Sequence, residues 1–126
     1  MPLVRIYLRK GKDDAYRQAI GRVVYEVLVG VGVPEPDHFE IIGEHDAANF
    51  IFDPTYLGIH RSDDLVIIQI TVSNTRPVEQ KKQLYRRIVE RLTESPGLRP
   101  EDVLINLVEV KPENWSFGHG VAQYVE

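Results

Sequence analysis

Cysteine is absent from this chain of 126 residues. That excludes a disulfide framework, a thiolate nucleophile and any cysteine-ligated zinc or iron–sulfur site. Long apolar runs are missing as well. The longest spans residues 65–72, contains Gln69 and falls far short of the roughly 20 residues that cross a bilayer. Nor is there an excess of positive charge: 15 Lys and Arg against 19 Asp and Glu leave a net charge of -4. Binding to nucleic acid demands a basic surface, so that class of partner is not expected. Arg5, Arg9 and Lys10 interrupt any apolar core in the first ten residues, so no secretory signal is read there. What remains is 43% hydrophobic and 27% charged. The expectation is one cytoplasmic domain spanning 1–126, with a buried core and no membrane partner.

The hydropathy pattern divides the chain into two similar halves, about 1–62 and 63–126. Val4, Ile6 and Leu8 alternate with Leu3, Arg5, Tyr7 and Arg9, the period of a half-buried strand. From Asp13, apolar residues recur at helical spacing through Tyr16, Ile20, Val23, Val27 and Val31. Gly30 and Gly32 suit the end of that helix, while Gly21 lies inside it at a cost of up to about 1 kcal/mol relative to alanine. A rigid turn at 34–37 leads into a strand over 39–44. The second half repeats the scheme: a strand over 65–72, Pro77 in a first helical turn, a stripe of Leu84, Tyr85, Ile88 and Leu92, and a strand over 103–110. The predicted fold class is α+β: tandem β-α-β units (β-α-β-β-α-β) forming a four-stranded sheet with two helices on one face. Residues 46–64 connect the halves, and 121–125 read as a short closing strand.

Two helices cover one face of such a sheet and leave the other bare. The strands at 65–72 and 103–110 carry apolar residues on both faces, so the bare face is expected either to bury itself in an oligomer or to lie under the 46–64 loop and the tail. The oligomer is the favoured reading.

Phosphate-binding, nucleophile-elbow and zinc-protease motifs are all missing. Gly30-Val31-Gly32 ends a helix instead of opening one. His45 and His60 lack paired ligand spacing, so no metal site is read. Pro2 stands apart. Removal of Met1 ahead of a small residue would leave a free prolyl amine at the start of a strand, a compact base that needs no side chain. An α-amino group normally titrates near about 7.7–8.0, and apolar surroundings or a neighbouring arginine lower it toward neutrality.

Met1-Pro2-Leu3-Val4 opening a doubled β-α-β chain resembles the tautomerase superfamily, whose members use an amino-terminal proline. Pro34-x-x-Asp37, Gly58-Ile59-x-Arg61-Ser62, the segment from Arg76 to Lys81 and Asn114-Trp115-Ser116-Phe117-Gly118 resemble its malonate semialdehyde decarboxylase branch. The resemblance implies a homotrimer with no cofactor, acting on a small carboxylate or 2-oxo acid. It implies Pro2 as the catalytic proline, Arg76 as the group that binds the substrate carboxylate and Asp37 as the acidic partner that orients water or the prolyl ammonium. Trp115 and Phe117 correspond to aromatics that wall the pocket. A guanidinium suits the carboxylate because its planar fork makes two parallel hydrogen bonds. Asp102, the counterpart of Asp37 by spacing, is expected only to cap a strand end.

One departure bears on the reaction. The decarboxylases carry two arginines separated by one residue, whereas here Asn74 holds the first position and Arg76 the second. The leading expectation is therefore an isomerase, a tautomerase using Pro2 as general base and acid, with Asn74 lining the pocket. The alternatives are a decarboxylase or hydratase (a lyase), and a trimeric binding protein without catalysis.

Overall fold

The computed structural model describes residues 2–125, so the fate of Met1 lies outside the described residues. Strand β1 (Leu3–Arg9) leads to helix α1 (Asp14–Gly30) and strand β2 (Glu40–His45); β3 (Val66–Ser73), α2 (Val78–Glu94) and β4 (Val103–Val110) repeat that order. The strands form one mixed sheet in the order β2-β1-β3-β4. Each outer strand runs parallel to its inner neighbour, while β1 and β3 meet antiparallel at the centre.

The alternation in β1 comes out as expected, with Val4, Ile6 and Leu8 buried. Asp13 caps α1, its carboxylate accepting from the Tyr16 backbone N–H at 2.9 Å. At the other end Gly32 takes a positive φ of 108, and Gly32 N–H and Val33 N–H donate to the carbonyls of Val29 and Leu28. That pair of bonds is the Schellman closure, which glycine admits without strain. Ile20, Val23, Val24, Val27 and Leu28 of α1 and Leu84, Ile88 and Leu92 of α2 bury against Val4, Ile6, Leu8, Val66, Ile68, Ile70 and Val72, which makes the core one layer between helices and sheet.

Several boundaries shift. β2 and β3 each begin and end one residue later than expected. Pro77 stands just before α2 and not inside its first turn. Residues 121–125 do not form a strand. Gly118, His119 and Gly120 all take positive φ, and the chain folds into turns held by Gln123, whose amide donates to Gly118 O and accepts from Phe117 N–H, both at 3.0 Å. A strand needs a neighbour's free edge, and this tail turns back on itself instead.

The face away from the helices stays largely open. Ile41 is 57% exposed and Leu104 and Val108 are 36% exposed. Across its middle runs a polar row, Arg5 beside Gln69 beside Asn106, with a hydrogen bond of 3.1 Å between the two amides. The 46–64 loop covers one corner only. There Phe50 and Phe52 pack near His45 and Arg9, and Arg9 sits 5.4 Å over the Phe52 ring. His45 is thus part of an aromatic cluster with Tyr7, and among the described residues no group of three metal-ligating side chains converges anywhere.

Candidate active site

The antiparallel centre of the sheet decides where the site residues meet. Leu3 pairs with Thr71, so Pro2 lies beside the last residues of β3, and Asn74 and Arg76 follow directly. β2 is parallel to β1, which brings its entry and the preceding Asp37 to that same end. β4 is parallel to β3, so its exit leads Trp115 and Phe117 there too. Asn74 N–H donates to Val110 O at 3.1 Å and ties the two exits together. Four segments distant in sequence thus gather at one edge. All six residues expected from sequence lie at that end.

Pro2 is buried. Its ring borders a void of about 10 Å³ shared with Val4, Tyr25, Leu28, Asp37, His38, Phe39 and Glu40. Asp37 is half-buried on the 34–39 turn, its N–H donating to Pro34 O at 3.0 Å.

The cations at this end differ in partnership. Lys81, in the first turn of α2, pairs with Glu109 at 2.6 Å. Arg76 makes no ion pair or side-chain hydrogen bond among the described residues and is half-buried. A guanidinium without a carboxylate partner is open to a substrate carboxylate. Asn74 is exposed beside it.

The tail supplies the apolar wall. Trp115 stacks on Phe117 with ring centroids 5.4 Å apart, and Tyr124 meets Phe117 edge-on at 4.9 Å. Trp115 Nε1 is buried without a hydrogen bond among the described residues. Desolvation raises the Tyr124 phenol above its ordinary range, and the negative charge of Asp37 raises it further. Tyr124 and Gln123 were missed from sequence, because the tail read as a strand. Asp102, by contrast, is fully buried and accepts from Ser62 N–H at 2.7 Å and Ser62 Oγ at 2.6 Å, which ties the loop before β3 to the turn before β4 where only a local strand-end cap was expected.

Comparison with known proteins bears on the family and the fold. One family model described as tautomerase enzyme matches residues 37–118, and a second of the same description matches 2–59. A probable tautomerase of Bacillus subtilis (strain 168), YusQ, is 40% identical over the full length of both chains. The crystal structure of FG41 malonate semialdehyde decarboxylase inhibited by 3-bromopropiolate superposes with a TM-score of 0.90 at 37% identity, covering 98% of this chain and 94% of that one. A fused 4-OT symmetric trimer shares the fold at a TM-score of 0.77 and 19% identity, covering 94% of each chain.

Proposed function

The chain belongs to the tautomerase family, and from that premise we propose that it is an enzyme in which Pro2, freed of Met1, interconverts enol and keto forms of small 2-oxo acids. One observation carries the reading: a buried proline at position 2 shares a sheet end with Asp37 and with an arginine that has no acidic partner among the described residues. In the ketonisation direction the neutral imino nitrogen takes the enol hydroxyl proton, the C=C electrons reach for a proton, and the prolyl ammonium delivers one to that carbon. No atom is gained or lost. Arg76 anchors the carboxylate and steadies charge developing on the oxygen, and Asp37 orients the ammonium. Asn74, Trp115 and Phe117 shape the pocket.

The likeness to a malonate semialdehyde decarboxylase favours a second reading, in which a cationic Pro2 polarises a carbonyl and Asp37 assists a water or the loss of carbon dioxide. Asn74 in place of an arginine counts against it. The open sheet face and the trimer seen in a fold relative support a homotrimer, expected to sediment at three times 14.5 kDa.

Steady-state ketonisation of an enolpyruvate tests the reading. Pro2→Ala is expected to lower kcat by about 10²–10⁴. Arg76→Ala is expected chiefly to raise KM by about tenfold or more. Unaltered rates in both variants would reduce the protein to a binding module. Rapid carbon dioxide release from malonate semialdehyde by the wild type, unimproved in Asn74→Arg, would put the decarboxylase reading first.

A further inference from the structure

Glu40 stands where the fold disfavours a carboxylate. It lies on the helix-facing side of β2, opposite Val4, in a row that continues through Ile70 and Leu107. Its side chain is only 12% exposed, and Oε2 is buried without a hydrogen bond among the described residues. Burying a carboxylate among apolar groups is unfavourable, and desolvation accordingly raises the Glu40 pKa against the opposing hydrogen bond from His38.

Three arrangements nevertheless hold it there. His38 Nε2 lies 2.6 Å from Glu40 Oε1. The His38 ring stacks on Tyr25 with centroids 4.1 Å apart, and Tyr25 OH donates to Glu35 O at 2.9 Å. Gly21, the unfavourable glycine inside α1, leaves the space: a Cβ there would stand 3.3 Å from Glu40 Oε1. Asp37 sits between the two points, Glu35 and His38, at which this turn is fastened to Tyr25. The same Glu40, His38 and Tyr25 border the void behind Pro2.

We propose that Glu40 is a positioning residue: gripping His38 and admitted by Gly21, it fixes the turn that carries Asp37 against Pro2. The proposal rests on the tautomerase reading of Pro2 and Asp37. It explains why a helix keeps a glycine in its middle and why a core row keeps an acid. The device acts through geometry: a Cβ at position 21 would press Glu40 Oε1 aside by a few tenths of an ångström, and turnover is sensitive to small misplacements of reacting groups.

Gly21→Ala is the discriminating variant. Alanine favours the helix, so its Tm is expected to equal or exceed that of the wild type, while kcat for enolpyruvate ketonisation falls about tenfold and KM, set by Arg76, holds. A merely structural glycine would give the reverse, a lower Tm with normal kcat per folded molecule. Glu40→Gln is expected to show the same split. Combined with Asp37→Asn, it should lose less than the product of the two single effects, because both act on one element. Wild-type kcat in Gly21→Ala, or full multiplication in the double variant, overturns the proposal. Should Glu40→Gln fail to fold, Gly21→Ala decides alone. Harmless Asp37→Asn would instead sink the underlying assignment of Asp37, a separate outcome.

Discussion

The two ends of the sheet are built alike and equipped differently. At one end Pro2 precedes β1, Asp37 precedes β2 and Arg76 follows β3. At the other, Leu65 precedes β3, Asp102 precedes β4 and Lys10 and Lys12 follow β1. Leu65 and Asp102 are fully buried, the latter bound by Ser62 and approached by Arg99 at 3.5 Å. The second end also holds a cleft, of about 450 Å³, but each basic side chain lining it has an acid: Arg9 with Asp63, Lys10 with Asp46 and Lys12 with Asp64. Internal repetition thus duplicates the frame, and the two copies differ in charge pairing: under the proposed function the end with Arg76, unpaired among the described residues, is the one that receives an anion.

The sharpest way to break this contrast is at the residues that enter β1 and β3. Leu65→Ala is expected to lower the unfolding free energy by about 2–5 kcal/mol, read as a lower urea midpoint, with unchanged kcat per folded molecule. Pro2→Ala should do the opposite, abolishing most turnover while leaving the urea midpoint near that of the wild type. Equal stability losses in the two variants would erase the distinction between the ends.

The aspartates provide the next test. Asp102→Asn is expected to cost about 3 kcal/mol, because Ser62 loses charge-assisted partners inside the protein. Asp37→Asn should lower kcat about tenfold with little change in the urea midpoint. A catalytic defect in Asp102→Asn with intact stability would mean that the second end works too.

The smallest effect concerns Glu40. Burial raises its carboxyl above the unfolded value, so the folded chain holds an extra proton between about pH 4.3 and that raised value. Stability falls as pH climbs through this window. Glu40→Gln removes the titrating group and should flatten that part of the curve in urea unfolding followed from pH 4 to 7. Parallel curves would show that Glu40 is hydrated like an ordinary surface acid.

Much of this was legible in the chain itself, because periodicity reports burial directly. Val4, Ile6 and Leu8 announced a strand, and Gly30 and Gly32 announced a helix end. The site residues came through resemblance more than through pattern, since a proline at position 2 or an aspartate in a turn has ordinary local uses. His38, Glu40 and Tyr124 left no signal. Their contacts join α1, the 34–39 turn and the tail, none of which has a spacing that sequence displays. The closing strand was misread because Val121 and Val125 suit a strand, while its outcome depended on backbone turns at Gly118 and Gly120 and on the Gln123 clamp.

The head-to-tail meeting of β1 and β3 has a consequence for assembly of the molecule. Residues 2 and 37 come from the first half, 76 and 115 from the second, and the antiparallel central ladder sets them at one edge, with the shared helix layer holding the halves together. Neither half carries the whole of the proposed centre. Turnover therefore gauges completed docking of the halves: a chain nicked within 46–64 keeps its rate for as long as the fragments stay together, and loses it when they part.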